Sequence, residues 1–449
     1  MHLLSIGYAR VDLTPDEPVA LSGYGDDTQR ISEGVLDPIT ATCLAVTDES
    51  NETVLLYSLD LLAGFGTLTD VAREAITKAT GIPGHRIILA GTHTHSGPSV
   101  GTMHLDSTKR FFDNTVRLLT QAAENALADR SPATLLVGKT QTEKMSFVRH
   151  YKMENGTYGG DNFGTWDSPI VAHTSPADEQ IQLARFLREG KADILLVNWQ
   201  AHAKMSSTAT TEFGKAHRKY ISSDYIGFTR QALEEETGMQ VIFFSGAAGN
   251  LNPSSRMESE PTPEDPAVYG KQLAQATLTG LTDMQPIGTD RILSRQRMVT
   301  IPIDHSDDHL VELATKIWAI WPQDQQLCKE TARQNGFNSP YAASAVIGRS
   351  QAGADRTLEI NTVGVGELGF AVAPYEMFCV NGQQIKQDSP YAMTFVLTCA
   401  NSYQNYLPSD FAFTHGGYEV DSRRLPRGAA EQMVENFLQM LREQKSEEG

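Results

Sequence analysis

Three short apolar runs stop in the same abrupt way, and this constrains the fold more than any other feature. Arg86-Ile87-Ile88-Leu89-Ala90 stops at Gly91. Asp193-Ile194-Leu195-Leu196-Val197-Asn198 runs into Trp199-Gln200. Gln240-Val241-Ile242-Phe243-Phe244 stops at Ser245-Gly246. Such runs read as strands buried on both faces. Helical spacing lies around them, over 67–79, 107–129, 222–236, 265–282, 308–335, 375–386 and 426–443. Further strands are predicted at 4–12, 40–47, 53–60, 357–363, 368–374 and 391–398. This mixed order predicts an α/β or mixed α+β fold, a single large domain over 1–449 with mixed sheets flanked by helices. No internal repeat is visible. Two polar stretches, 152–176 and 253–266, read as loops, the first as a lid or binding loop.

Charge narrows the partners. The chain has 449 residues with 37 Lys and Arg against 55 Asp and Glu, a net charge of −18. Such a surface repels phosphate backbones, so no nucleic-acid partner is expected. No stretch approaches the ~18 apolar residues of a membrane span, so no stable membrane insertion is expected. The N-terminus lacks a basic, apolar leader, which predicts a cytoplasmic protein. Cys43, Cys328, Cys379 and Cys399 have no CxxC spacing and read as buried thiols.

The chemistry sits where the apolar runs end. Gly91-Thr92-His93-Thr94-His95-Ser96-Gly97-Pro98 follows one of them. Side chains two apart in extended backbone point the same way, so His93 and His95 face one spot at a strand's carboxyl end. Two imidazoles there suit a divalent metal, or one ligand beside one acid/base group. His202 follows a second run. Ser245-Gly246-Ala247-Ala248-Gly249-Asn250-Leu251-Asn252-Pro253 follows the third, and its small residues permit close backbone approach to a ligand. Glu376, in Ala373-Pro374-Tyr375-Glu376, ends a strand and reads as opening a helix. Tyr403, Tyr406 and Tyr418 cluster near Gly416-Gly417. Asp60 is either a turn residue or a brace for a metal-bound imidazole. Gly364-Val365-Gly366-Glu367-Leu368-Gly369 matches a dinucleotide fingerprint, but the strand-like Phe370-Ala371-Val372-Ala373 follows it, so a hairpin turn is expected.

In this order, the motifs resemble the catalytic domain of the neutral/alkaline non-lysosomal ceramidases. The resemblance runs from Gly91–Pro98 through Asn198–His202, Gly246–Pro253 and Pro374-Tyr375-Glu376 to Tyr403–Tyr406 and Tyr418-Glu419. It implies a zinc ion held by His93, His202, Glu376 and Tyr406. It implies His95 as the acid/base histidine, Tyr418 as the oxyanion donor and Arg149 as the substrate-orienting arginine. The implied reaction is amide hydrolysis by a metal-activated water. Asn252 stands where these ceramidases carry serine. An amide cannot form an acyl-enzyme, so Asn252, Gly246 and Asn250 are expected to position substrate instead.

The resemblance stops short of the β-sandwich that follows in secreted ceramidases, and none is expected within 1–449. Together with the chain's charge, this predicts a small polar amide or N-acyl compound rather than bilayer ceramide. Asn155, Asp161 and Asn162 beside Gly159-Gly160 would suit a hydroxylated ligand. Homo-oligomerisation stays open. Two other readings stand beside this one. One is a metal hydrolase on an amidohydrolase barrel acting on an ester or cyclic amide, against which the late position of the HxH argues. The other is a binding protein that keeps the site without activity.

Overall fold

The computed structural model describes residues 4–24, 30–101, 104–160, 168–288 and 291–447. Eight strands make the backbone of a large sheet: β1 (Leu4–Asp12), β2 (Thr40–Thr47), β3 (Thr53–Leu59), β4 (Ile87–Gly91), β5 (Ser131–Gln141), β6 (Gln180–Arg188), β7 (Ile194–Trp199) and β8 (Gln240–Ser245). Their order is β8-β7-β6-β5-β1-β2-β3-β4, and the short pair Gln285–Pro286 adds to β5. A second sheet holds β9 (Ile292–Pro302), β10 (Asp355–Val365), β11 (Leu368–Val372) and β12 (Met393–Leu397), in chain order. Mixed sheets flanked by helices are therefore what the chain forms.

One pairing pattern occurs three times. β1, β2 and β3 are antiparallel, the helix Gly66–Thr80 crosses over, and β4 returns parallel to β3. β5, β6 and β7 do the same, with helix Asp224–Thr237 leading to β8. β9, β10 and β11 repeat it, with helix Cys379–Asp388 leading to β12. A parallel return demands a crossover, which explains the helix at that place each time. A second helix follows each unit: Asp106–Ala128, Pro266–Thr279 and Ala429–Ser446. Sequence reading sees no repeat because the units share a pairing order rather than residues.

The three parallel pairs converge at their carboxyl ends. Ser245 Oγ donates to the Thr92 carbonyl at 2.7 Å, and Thr398 N to the Ser245 carbonyl at 3.2 Å. Asn401 N donates to the Leu89 carbonyl at 2.8 Å. Right-handed twist of about 20–25° per strand, accumulated over eight strands, swings the two edges of the large sheet round until they meet. One apolar core lies between the two sheets and contains Ile6, Leu56, Leu196, Phe244, Phe370 and Phe395. The helices cover the outer faces, through Leu68 and Leu119, Leu233 and Leu273, and Phe437 and Leu441.

Four expectations need correction. The single helix over 308–335 is two, Val311–Trp318 and Gln325–Gln334, joined through a turn at Trp321-Pro322. Proline has no N–H to continue the ladder. With Pro340–Ser350, these helices pack around their own core between β9 and β10. Next, Glu376 does not open a helix. It lies in the short strand Glu376–Met377, paired with Tyr406–Leu407, and the helix starts only at Cys379. The Glu376 N–H is already donated to the Asn405 carbonyl. Third, the loop 152–176 contains strands. His150–Met153, Tyr158–Gly160 and Ile170–His173 form a small sheet, while Asp161 and Asn162 lie outside the described residues. Asn155 turns that hairpin, its Oδ1 accepting from Thr157 N at 3.0 Å. Finally, the repeat noted above was not expected. Gly366-Glu367 does make the expected hairpin between β10 and β11.

Candidate metal and catalytic site

The crossing of the three strand ends gathers residues far apart in the chain. His93 follows β4, His202 follows β7, and Glu376 follows β11. Glu376 Oε2 lies 2.9 Å from His202 Nε2 and 3.2 Å from His93 Nε2. His95 Nε2 lies 3.4 Å from His93 Nε2. All four side chains are buried. His93 takes a left-handed backbone, φ 66°, which turns its ring into the cluster instead of continuing the strand. Gly23 lies against His95 so closely that a Cβ there would fall 2.8 Å from the ring.

The three imidazoles are anchored differently. His93 Nδ1 faces the Leu62 carbonyl at 2.9 Å. His202 Nδ1 faces the carbonyls of Ala248 and Leu251, each at 2.9 Å. A carbonyl only accepts, so Nδ1 carries a proton in each and each Nε2 faces the centre. The buried Nδ1 of His95 has no hydrogen-bond partner among the described residues. Its tautomer is therefore not locked by the fold.

Burial and neighbouring charges pull the protonation of these groups in opposite directions. Burial works against a charge on His93, but Cys399 and Glu376 outweigh it and lift the imidazole well above its ordinary range. Burial and then the charge of Arg149 push His202 down to about 3, so its ring is neutral. Burial, reinforced by His93 and His202, lowers His95 well below its usual value. Burial alone would raise Glu376, but His93 and His202 hold it ionised. Glu376 Oε2 at 2.9 Å from His202 and 3.2 Å from His93 comes close to the roughly 3.3 Å edges of a tetrahedral site with about 2.0–2.1 Å bonds. His93, His95 and His202 together form a group able to hold a metal ion. The donor set fits zinc.

Arg149 braces the rim. Its guanidinium donates to Tyr406 OH at 3.1 Å, to the Gly249 carbonyl at 3.0 Å and to Asn252 Oδ1 at 3.4 Å. Its Nε donates to Glu419, a fully buried ion pair. Tyr403 OH donates to Glu376 Oε1 at 2.5 Å. Tyr418 stacks edge-on to Tyr406 with centroids 5.5 Å apart, and both border a cavity of about 860 Å³ that also reaches His95, Arg149 and Glu376. Burial raises the Tyr406 and Tyr418 phenols, so both keep their protons.

The structure thus brings His93, His95, His202, Glu376, Arg149, Tyr406 and Tyr418 together. Gly246 and Asn250 stand behind the wall, outside the cavity lining. Asn250 Oδ1 accepts from Cys379 N at 2.9 Å. The close approach that the small residues allow is to protein: a Cβ on Gly249 would lie 2.4 Å from the Glu376 carbonyl oxygen. Asn252 is fully buried and meets Arg149. Asp60 braces no imidazole. It pairs with Arg230, 2.6 Å away and equally buried. The roles of Tyr403, Glu419 and Gly23 were not read from the sequence, and only the adjacency of Glu419 to Tyr418 hinted at one of them.

Comparison with known proteins now adds to this geometry. No protein-family model matches the chain. Neutral ceramidase of Drosophila melanogaster is 23% identical over 248 residues, 51% of this chain but 32% of the fly protein. That of Drosophila pseudoobscura pseudoobscura is 24% identical over 252 residues, again 51% and 32%. The match thus spans about a third of the length of these relatives. The crystal structure of neutral ceramidase from Pseudomonas aeruginosa superimposes with a TM-score of 0.72 at 16% identity, over 98% of this chain and 74% of that one. The chain has the fold of that neutral ceramidase. A second structure, of a ceramidase complexed with C2, gives a TM-score of 0.71 at 15% identity, over 98% and 75%. Among the described residues of this chain, no helix is long and apolar enough to cross a membrane.

Proposed function

We propose that this chain is a zinc-dependent hydrolase of an amide bond in an N-acyl substrate. The carrying observation is the unequal anchoring of the three histidines. His93 and His202 have Nδ1 fixed on carbonyls and Nε2 turned inward, as ligands require. His95 has an unpartnered Nδ1 beside them, as a proton carrier requires. His93, His202 and Glu376, with Tyr406, would hold the ion. When bound, zinc supplies Lewis acidity and makes a water acidic near neutral pH.

The chain's own groups account for the remaining steps. His95 takes the proton of the attacking water and delivers it to the leaving nitrogen. Tyr418, a protonated phenol on the cavity wall, donates to the carbonyl oxygen as charge builds there, a contact of a type worth roughly 3–4 kcal/mol. Arg149 positions Tyr406 and the Gly249 backbone. Asn252 accepts from Arg149, and its carboxamide is no nucleophile, so no covalent acyl-enzyme is expected at that position.

The test is elemental analysis of purified protein followed by a panel of amide and ester substrates. One zinc per chain, amide turnover without a burst, and no acyl adduct by mass spectrometry are expected. Protein without bound metal that still cleaves amides, or a trapped acyl-enzyme, would overturn the reading. Asn252→Ser should keep the metal and change rate or specificity.

A further inference from the structure

The chain carries a net charge of −18, yet the cavity over the histidine cluster is basic. Nine lysines and arginines border it, against one carboxylate, Glu376, among the described lining residues. Chance placement on so acidic a chain would give the opposite balance. Lys204 and Arg349 are at least nine-tenths buried. Arg349 and Arg423 are held from behind by Asp307 and Asp304, at 2.9 and 2.6 Å. Arg356 and Arg424 make no ion pair among the described residues. Burial and then the neighbouring Arg424 depress Arg356, and burial and then Arg423 depress Arg349 in spite of Asp307. Like charges have been gathered at a cost in solvation and repulsion. All four arginines belong to the third unit: Arg349 ends helix Pro340–Ser350, Arg356 opens β10, and Arg423-Arg424 follow the turn Tyr418–Asp421.

We infer that the substrate carries an anionic group, phosphate or carboxylate, seated between Arg356 and Arg424 with Arg349 and Arg423 beside them. This rests on the hydrolase reading and names its substrate class. Guanidinium pairs bind planar and tetrahedral oxyanions through two parallel hydrogen bonds. A neutral N-acyl amine would enter the same cavity and leave these charges unbalanced, which selects against it. The acidic outer surface keeps nucleic acids and anionic bilayers away, while the basic cavity admits a small anion.

The experiment uses the full, zinc-loaded chain and three compounds: N-hexanoylethanolamine, its O-phosphate, and N-hexanoylglycine. At least one of the two anionic compounds should exceed neutral N-hexanoylethanolamine in kcat/KM by about tenfold or more. The advantage should shrink as salt rises. Which anion gains more separates phosphate from carboxylate. In the double variant R356Q/R424Q the ratio of anionic to neutral substrate should fall towards unity. Equal or better cleavage of the neutral compound, or a ratio untouched in the double variant, would overturn the inference and leave the hydrolase reading standing. If none is cleaved, calorimetry with the O-phosphate decides. Binding that the double variant loses would sustain the anion site while the hydrolase reading falls. Binding no tighter than that of the neutral compound would overturn the anion site as well.

Discussion

Glu376 Oε2 lies 2.9 Å from His202 Nε2, although His202 follows a strand of the large sheet and Glu376 follows one of the four-stranded sheet. His202 leaves the large sheet and Glu376 leaves the small one, so their contact crosses the junction between them. The other carboxylate oxygen accepts from Tyr403. An ion placed here would join the two halves of the molecule, and its loss would be felt as stability as well as activity.

Zinc removal should therefore lower the melting temperature. Chelator-treated protein is expected to melt at least about 4 °C below the loaded form and to regain it with added zinc, because only the folded state presents the site. His93→Ala and His202→Ala should each lose stoichiometric metal. His95→Ala should keep metal and lose turnover. Elemental analysis of the three variants checks this. Metal loss in His95→Ala would make that histidine a ligand instead.

The Arg149–Glu419 pair should set part of the acid sensitivity. Burial alone would raise the Glu419 carboxyl, but Arg149 and then His150 more than offset it and hold it at about 2. The folded value is depressed from 4.5, so the pair's contribution is present above about pH 4.5. It is lost as pH falls from there towards 2. Glu419→Gln leaves Arg149 buried and unpaired, which costs about 3–5 kcal/mol at neutral pH. Denaturant unfolding from pH 7 to pH 3 should show the gap between wild type and variant constant above about 4.5 and narrowing below it.

Asp60 should prove to be a structural residue. Its carboxylate is fully buried, pairs with Arg230 and accepts from Thr40 N at 2.8 Å. Asp60→Asn should destabilise the fold by about 3 kcal/mol or more while zinc stoichiometry stays at one per chain. Unfolding curves and metal analysis on the same sample distinguish this from a role in bracing a metal-bound histidine, which would weaken zinc binding.

How far the sequence carries the reader depends on which distances matter. Short apolar runs such as 240–244 declare buried strands, and the crossover helices follow from their spacing. The HxH after β4 is legible as two imidazoles at a strand end, although the left-handed backbone of His93, and not an extended one, brings them together. Glu376 was misassigned to a helix because its partner strand, Tyr406–Leu407, lies far along the chain and has no pattern of its own. Asp60 stayed open between a turn residue and a metal brace because nothing local reveals Arg230, which sits on a helix of another unit. Arg356 and Arg424 are unremarkable in sequence. Only the fold brings them together on the lining of one cavity.

Gly249→Ala gives the most stringent test of how the site is built. A Cβ at this position would meet the Glu376 carbonyl oxygen at 2.4 Å, its carbon at 2.7 Å and the Met377 oxygen at 2.9 Å. These are backbone atoms of the strand that carries Glu376, and that strand also accepts the Gly249 N–H through the Met377 carbonyl at 2.8 Å. Neither side can yield cheaply, so the strand must move and take Glu376 away from His202. The expected cost is about 1–3 kcal/mol of stability, with weakened zinc binding. Gly246→Ala is the control. Its Cβ would meet Gln200 Oε1 at 2.4 Å, a side chain and not the backbone of the strand that carries Glu376. Zinc titration of both variants should show a clear loss of affinity for Gly249→Ala and little change for Gly246→Ala. Equal affinities would mean that Glu376 is held by something other than this contact.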